Sequence, residues 1–306
     1  MSPTDDVIAV IAVPLFEQAA HVEEALRSLL AQSRRDLALV VVDDCSADGS
    51  AEIVRKLAGE DERITYVRNE RRLGMILNWR RAYELAREQH PDAPYFAWGS
   101  DHDRWDPEWL ARLVAGLEAR PQAVVAYPLS ARLTAAGEEE RRSSPPSFST
   151  RGVGSPARRF AATVVVAPGG SFVYGLYRAE APARAGIFRR VLAPDRLLLA
   201  ELALQGEAVL VPELLWWRRF KHEVTAARQR RAFFPDGDPP LWSFAPWWLQ
   251  HTVALARAGH DARAAAAYPA LAAARRGRIA WRRARKWLRY ARRRLSARKL
   301  LAKRPD

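Results

Sequence analysis

The sequence predicts an α/β protein built on a mostly parallel, doubly wound sheet. Short continuous apolar runs recur along the first 130 residues, segments with helical apolar spacing separate them, and 49% of the chain is hydrophobic. A strand that helices cover on both faces is typically a continuous apolar run rather than an alternating one. Strands that alternate with helices at this spacing favour a parallel sheet. The 306 residues suffice for one large domain with an appendage, or for two small domains.

Five strands and the helices between them are predicted in the first 130 residues. Each predicted strand is short and apolar, and most are rich in β-branched or aromatic residues. The helices carry apolar residues three and four positions apart, and Pro107 is well placed in the first turn of the last one. The predicted strands are residues 7–13, 37–42, 64–67, 95–98 and 124–127; the predicted helices are 21–32, 48–57, one that includes 79–86, and one that follows Pro107.

The regular alternation ends near Ser130. Residues 135–160 are rich in Gly, Glu, Arg, Ser and Pro, so they are predicted to form a mobile excursion. Order is expected to return at 164–177, with a helix at 196–205 and a strand at 208–211. Beyond Trp242 the chain is aromatic, then alanine-rich, then arginine-rich. We therefore expect a helical extension after the sheet.

The charge of the chain is concentrated at its end. The net charge is +14, and residues 271–306 hold fifteen Lys and Arg with one acid, which accounts for the whole excess. A balanced globular part with a basic tail favours an enzyme with a surface anchor over a nucleic-acid-binding protein.

Cysteine usage and the N-terminus predict a cytoplasmic protein. Cys45 is the only cysteine, which excludes an intramolecular disulfide framework and a cysteine-based metal cluster. The first residues include Asp5 and Asp6 and do not resemble a secretory signal. No apolar run reaches the roughly 18 residues that span a bilayer.

Acidic residues follow two of the predicted strands. Val42 leads into Asp43 and Asp44, and the strand that ends at Trp98 leads into the cluster at 101–103. In open α/β sheets, ligands bind outside the carboxyl ends of the strands. Carboxylates there suit a divalent cation that holds phosphates, or hydrogen bonds from a base or ribose. The glycine-rich turn of a dinucleotide-binding fold is missing after Val13.

Three segments resemble the opening blocks of family 2 of the inverting glycosyltransferases, which have the GT-A fold. They are residues 7–32, 40–50 and 95–113, and the run Val42-Asp43-Asp44-Cys45-Ser46-Ala47-Asp48-Gly49-Ser50 is the most specific part. Pro14-Leu15-Phe16-Glu17 stands where the family has Pro-x-Tyr-Asn. Residues 194–202 resemble a later block, so the resemblance covers about residues 7–223.

The resemblance implies transfer of a sugar from a nucleoside-diphosphate sugar to a hydroxyl of a glycan or glycolipid acceptor. Asp43 and Asp44 would contact the nucleoside. The residues that we expect to bind substrate are Pro14, Phe16, Glu17, Asp43, Asp44, Asn78, Gly170 and His222.

The resemblance also implies a metal site and a general base. Asp101, His102 and Asp103 would bind Mn²⁺ or Mg²⁺ on the diphosphate; counted back from Pro107, only Asp103 is in the family's register, and imidazole suits Mn²⁺. Asp195 would remove the proton of the acceptor hydroxyl, which requires a raised carboxyl pKa. A position at a helix N-terminus would instead lower that pKa.

The basic tail, residues 275–306, is predicted to be an amphipathic helix. Trp281, Leu288 and Leu295 are seven apart and would form one narrow apolar stripe among Lys and Arg. This pattern favours a helix that lies on an anionic membrane surface. We therefore expect a protein peripheral to the inner face of the membrane; a solvated extension that contacts another protein is the alternative.

The predicted domains are a GT-A domain at 1–223 and a helical extension at 224–306. The nucleotide-sugar half is about 1–130 and the acceptor half about 160–223. Three other functions stay open at this point: a sugar nucleotidyltransferase, a non-catalytic nucleic-acid-binding protein that uses the tail, and a degenerate transferase that binds without turnover. The neutral sheet domain argues against nucleic acid as a partner.

Overall fold

The computed structural model describes residues 7–134, 139–140, 148–167, 169–219, 225–235, 241–259 and 261–301. The strands in these ranges are β1 (Ala9–Leu15), β2 (Leu37–Asp43), β3 (Ile64–Arg68), β4 (Tyr95–Trp98), β5 (Arg104–Trp105), β6 (Ala123–Leu133), β7 (Glu139–Glu140), β8 (Leu176–Arg178) and β9 (Glu207–Arg219). The helices are α1 (Val22–Leu30), α2 (Ser50–Glu60), α3 (Met75–Gln89), α4 (Trp109–Glu118), α5 (Pro156–Val166), α6 (Ala181–Arg184), α7 (Pro194–Gln205), α8 (Ala226–Phe233), α9 (Trp247–Ala258) and α10 (Ala262–Leu301).

The described strands form one sheet in the order β3-β2-β1-β4-β8-β6-β9-β5, with β7 beside β6. The pairs β3–β2, β2–β1, β1–β4 and β6–β9 are parallel, and β8 runs antiparallel between β4 and β6. The predicted α/β class and its five N-terminal strands are confirmed. The antiparallel β8 separates the sheet into an N-terminal half, β3-β2-β1-β4, and a second half, β6-β9-β5.

Two hydrophobic cores, one on each face of the sheet, explain the continuous apolar runs. All seven residues of β1 are buried. Val10 and Ala12 face a core that α3 covers, and Ile11 and Val13 face another that α1 and α4 cover. Burial of each such aliphatic side chain contributes about 1.5–3 kcal/mol, so both faces hold the strand in register.

A third core joins the C-terminal helices to the second half. Phe160 of α5 and Leu197 of α7 pack with Leu255 of α9 and Tyr268 of α10. The predicted helical extension is confirmed, whereas the boundary at residue 223 stays a prediction. No helix in the described part of the chain is both long and apolar enough to cross a membrane.

The mobile excursion that the composition predicted at 135–160 is wrong for residues 156–160, which begin α5. Ser155 caps this helix, since its hydroxyl accepts a hydrogen bond from the Arg158 N–H, and Pro156 occupies the first turn. Phe160 and Val164 then lie on the buried face. Residues 135–138 and 141–147 of the predicted excursion lie outside the described residues.

The carboxyl ends of β1, β2 and β4 meet at one edge of the sheet. The Asp44 N–H donates to the Leu15 carbonyl at 2.9 Å, and the Gly99 N–H donates to the Ala12 carbonyl at 2.8 Å. The loops that follow these strands are therefore adjacent, at the edge where open α/β sheets bind ligands.

Candidate active site

A cavity of about 430 Å³ lies at this edge, and we call it the donor cavity. The predicted site residues that border it are Pro14, Phe16, Asp44, Asn78, Asp101 and His102. The loops that follow β1, β2 and β4, which the sequence analysis identified, therefore all border the donor cavity. The wall also includes Arg72.

Asp44 and Asn78 are held by a buried polar network. The Asp44 carboxylate accepts hydrogen bonds from the N–H groups of Leu73 and Gly74, at 2.6 and 2.8 Å, and from the Asn69 side chain at 3.0 Å. The Asn78 side chain donates to the Val42 carbonyl at 3.0 Å and accepts from Asn69 at 2.9 Å. The negative charge of Asp44 at the N-terminus of α3 interacts favourably with the helix dipole. These hydrogen bonds fix the position of Asp44 and Asn78 in the cavity wall.

Asp43 and Glu17 are not among the residues that border the donor cavity. Asp43 is fully buried and accepts from the Ser46 N–H, the Tyr66 hydroxyl and Arg68, at 2.7–2.8 Å. Glu17 is exposed, and its N–H donates to the Ser46 hydroxyl at 3.0 Å. Both residues shape the loops behind the wall. The predicted contact of Asp43 with the nucleoside and the predicted contact of Glu17 with the substrate stay predictions.

The acidic cluster at 101–103 divides between the cavity and the interior. Asp101 borders the donor cavity; its carboxylate accepts from the Phe16 N–H at 3.2 Å and lies 2.5 Å from His102 Nδ1. Asp103 is 3% exposed and does not border the cavity. Its two oxygens accept from Trp216 Nε1 at 3.0 Å and from the Arg219 N–H at 2.8 Å. Asp103, the residue in the family's register, therefore braces β9, while Asp101 faces the ligand space.

The metal-binding side chains on the wall suit a cation that a bound substrate also co-ordinates. They do not form a complete site made of protein ligands alone. Among the described residues, no three His, Cys, Asp or Glu side chains converge on one point, so the predicted three-residue site is incomplete. Asp101 and His102 still supply an oxygen and a nitrogen beside the cavity. Mg²⁺ characteristically binds through one or two carboxylates together with substrate phosphates, and these residues fit that arrangement.

Two arginines give the donor cavity positive charge. The Arg72 guanidinium lies 4.0 Å from the centre of the Phe16 ring. The Arg219 side chain is 8% exposed and bonds to Glu24 at 2.5 Å and to the His102 carbonyl at 2.9 Å. Its Nε is buried and has no hydrogen-bond partner among the described residues. Guanidinium groups suit phosphate oxygens because of their planar, multidentate donors.

A second cavity of about 420 Å³ adjoins the first, and we call it the base cavity because Asp195 borders it. Met75, Trp79 and Tyr174 border both cavities and form their shared wall. The Trp79 and Tyr174 rings meet edge to face at 5.5 Å. Asp195 is thus one aromatic layer away from the donor cavity.

Burial raises the pKa of Asp195, against the helix-dipole expectation. Asp195 is in the first turn of α7, and the charge of Arg196 and the local N–H groups lower the pKa, but loss of solvent is the larger effect. Tyr174 lies on the shared wall, and burial raises its pKa too. Arg218 borders the base cavity, and its guanidinium lies 4.7 Å from the centre of the Trp216 ring. A carboxyl with a raised pKa in a cavity suits a general base.

The remaining predicted residues lie elsewhere. Gly170 is in the short helical turn Gly169–Tyr174, whose residues Val173 and Tyr174 border the base cavity; the predicted contact of Gly170 with substrate stays a prediction. His222 lies outside the described residues. The sequence missed Trp79 and Met75 as site residues, because an apolar helix face also predicts plain core. It missed the part of α8, including Gln229 and Phe233, that lines the base cavity, since nothing local shows that α8 returns over α3.

Comparisons with known proteins identify the family and the fold of the chain. Residues 10–181 match the sequence model of Glycosyl transferase family 2. Residues 1–349 of S. aureus TarS in complex with UDP-GlcNAc have a similar fold, with a TM-score of 0.60 at 15% identity over 87% of this chain and 70% of that one. The mannosyltransferase PcManGT from Pyrobaculum calidifontis, in complex with GDP-Man and Mn²⁺, gives a TM-score of 0.53 at 22% identity over 89% and 76% of the two chains.

Sequence relatives match over shorter stretches. The GalNAc(5)-diNAcBac-PP-undecaprenol beta-1,3-glucosyltransferase of Campylobacter jejuni is 35% identical over 60 residues, which is 20% of this chain and 19% of that protein. The curated relatives that match are covered over at most 38% of their own length. The structural likeness shows the GT-A fold, and the family match spans more than half of the chain. The chain therefore belongs to glycosyl transferase family 2.

Proposed function

We propose that this enzyme inverts the anomeric centre as it moves a sugar from a nucleoside-diphosphate sugar to a hydroxyl of a glycan or lipid-linked glycan. The observation that carries the proposal is the pair of adjoining cavities with a shared wall of Met75, Trp79 and Tyr174. One cavity has acidic and basic groups suited to a nucleotide, and the other has a buried carboxyl. Inversion needs a leaving group on one side of the anomeric carbon and a base on the other.

The donor cavity would take the nucleoside diphosphate. Asp44 and Asn78 offer oxygen and amide groups to the nucleoside, and Arg72 and Arg219 offer positive charge to the phosphates. A Mn²⁺ or Mg²⁺ held by Asp101, His102 and the diphosphate would stabilise the charge on the leaving group. This placement of a cation follows from the donor set on the wall and is consistent with the complex of PcManGT with GDP-Man and Mn²⁺.

The base cavity would take the acceptor hydroxyl. Asp195 would accept the hydroxyl proton as the oxygen attacks the anomeric carbon, and the raised pKa improves the carboxylate as a base. Val173, Phe188 and Phe233 give this cavity an apolar wall, which would limit hydrolysis of the donor once the acceptor has displaced water.

The basic C-terminal helix favours an acceptor that is bound to the membrane. The relative from Campylobacter jejuni is named for an undecaprenol-linked acceptor. In this chain, α10 continues to Leu301, with Ile279 and Trp281 exposed by 39% and 60%. Residues 278–306 contain thirteen Lys and Arg and one acid, and each basic residue near an anionic surface contributes about 1 kcal/mol to binding. We therefore include a membrane-bound acceptor in the proposal.

Nucleotide-dependent thermal shifts test the donor site. UDP, GDP, dTDP and CDP are each added with and without Mn²⁺; one of them should raise the melting temperature, and more so with Mn²⁺. The matching nucleotide sugar then gives turnover, measured as nucleoside diphosphate release. Asp195→Asn should bind the nucleotide normally and lose about 10²–10⁴-fold in turnover. If no nucleotide stabilises the protein, the proposal fails; normal turnover in Asp195→Asn removes only the base.

A further inference from the structure

Two adjacent side chains of α9 hold the backbone of Leu192 from both sides. The Leu192 N–H donates to Gln250 Oε1 at 2.9 Å, and the Leu192 carbonyl lies 2.7 Å from His251 Nε2. Gln250 and His251 are 1% and 0% exposed. We call these contacts the Leu192 clamp. They tie the C-terminal extension to the segment that leads into Asp195.

The other atoms of both side chains are also engaged, which fixes their orientation. A carbonyl only accepts, so His251 Nε2 carries the proton, and Nδ1 accepts from the Tyr268 hydroxyl at 2.5 Å. Burial lowers the pKa of His251 to about 4, in line with a neutral ring. Gln250 Nε2 donates to the carbonyls of Ala245 and Ser243, at 2.7 and 3.3 Å, so its oxygen faces Leu192. The clamp is preorganised by α10 and by the turn before α9.

The segment that the clamp holds has a strained backbone. Ala193 follows Leu192 and has φ of 52°, in the left-handed region, where glycine is usual. No side chain of the described residues caps α7, which starts at the next residue. Strained residues persist only where the surrounding structure holds them. Since Asp195 is two residues beyond Ala193, its direction depends on this turn.

We propose that Gln250 and His251 are positioning residues for Asp195: they fix the Leu192–Ala193 turn and so aim the carboxyl into the base cavity. The inference rests on the proposed role of Asp195 as the base. The proposal gives α9 and α10 a role in catalysis, although both helices lie outside residues 10–181, which match the family model.

A matched pair of substitutions tests the clamp. In His251→Gln the side-chain amide can take the place of Nε2–H and donate to the Leu192 carbonyl. In His251→Asn the shorter amide can reach only the position of Nδ1. We expect His251→Gln to keep kcat within about twofold and His251→Asn to lose about tenfold or more, with KM for the nucleotide sugar unchanged in both, because a small displacement of a catalytic group has a large effect on rate. The donor is the nucleotide sugar that gives turnover in the test of the proposed function, and release of the nucleoside diphosphate is the readout.

Two further readouts separate positioning from general loss of stability. In His251→Asn the acid limb of the kcat–pH profile should move to lower pH, because a freed Asp195 is better solvated and its pKa falls. Amide hydrogen exchange of a peptide over 187–197 should be faster in His251→Asn and near wild type in His251→Gln. If His251→Asn does not fold, Gln250→Met opens the other half of the clamp for the same measurements.

The outcomes distinguish the clamp from the base. Equal loss of kcat in both His251 variants, or an unchanged acid limb with wild-type exchange in His251→Asn, overturns the clamp. If Asp195→Asn turns over normally, Asp195 is not the base. The clamp then has no catalytic role, whatever the hydrogen-exchange data show. Faster exchange and lower kcat in His251→Asn, with rescue in His251→Gln, support the proposal.

Discussion

Asp101 and Asp103 should respond in opposite ways to loss of their charge. Asp101→Asn removes a negative charge from the wall of the donor cavity, whereas Asp103→Asn alters a carboxylate whose two oxygens both accept hydrogen bonds from β9. We expect the first variant to lose cation-dependent nucleotide binding and to fold normally. The second should lose stability and keep that binding.

The magnitudes follow from the contacts. A ligand at 100 times its Kd stabilises the folded state by about 2.7 kcal/mol, which is about 4 °C in melting temperature for a protein of this size. Asp101→Asn should abolish the part of this shift that needs Mn²⁺. In Asp103→Asn the amide offers one acceptor in place of two, so a buried N–H of Trp216 or Arg219 loses its partner, at about 1–3 kcal/mol.

The assay is a thermal melt of each variant with the bound nucleotide, with and without Mn²⁺. Wild-type protein and Asp101→Asn should melt within a few degrees of each other without ligand. If Asp103→Asn loses the Mn²⁺-dependent shift and Asp101→Asn keeps it, the assignment of the two carboxylates to cavity and interior is refuted.

Three other predictions concern pH and the tail. Because burial raises the pKa of Asp195 above the ordinary 3.8, the acid limb of the kcat/KM–pH profile should lie above that value, with activity lost as the pH falls through it; a limb at or below 3.8 would contradict the buried base. The His251 pKa is lowered from 6.5 to about 4, so its contribution to the free energy of unfolding is present above pH 6.5 and is lost as the pH falls towards 4. At about 1.4 kcal/mol per pKa unit this loss approaches about 3 kcal/mol, and urea unfolding of His251→Gln should show a flatter pH dependence across that range. Deletion of 278–306, which leaves the Arg275 bonds to the Val164 and Ala167 carbonyls in place, should abolish sedimentation with phosphatidylglycerol vesicles and leave nucleotide binding unchanged; a full-length chain that never sediments with them would disprove the anchor.

The N-terminal half of the sheet and the donor cavity could be predicted from the sequence, because the patterns that specify them are local. Strands buried on both faces give continuous apolar runs, and the residues after Leu15, Val42 and Trp98 follow strands whose parallel order brings their ends together. Six predicted residues consequently share one cavity. The fold class needed no information beyond these patterns.

The functions of individual acids depend on contacts distant in the chain, which no local pattern contains. The β5–β9 pairing places Trp216 and Arg219 against Asp103, and this alone decides that Asp101 and not Asp103 faces the cavity. The raised pKa of Asp195 likewise depends on burial by neighbours from other elements. The helix position that the sequence does show predicts the opposite direction.

The shared wall has a consequence for how specificity can change. Residues that precede Asp103 make most of the donor cavity, whereas those after Gly169 make most of the base cavity. If the donor cavity binds the nucleotide sugar and the base cavity binds the acceptor, as we propose, substitutions in one stretch should alter the selectivity for one substrate and leave that for the other unchanged. Trp79 belongs to both cavities, so it is where a single change should affect both substrates at once, and where one inhibitor could occupy the two spaces together.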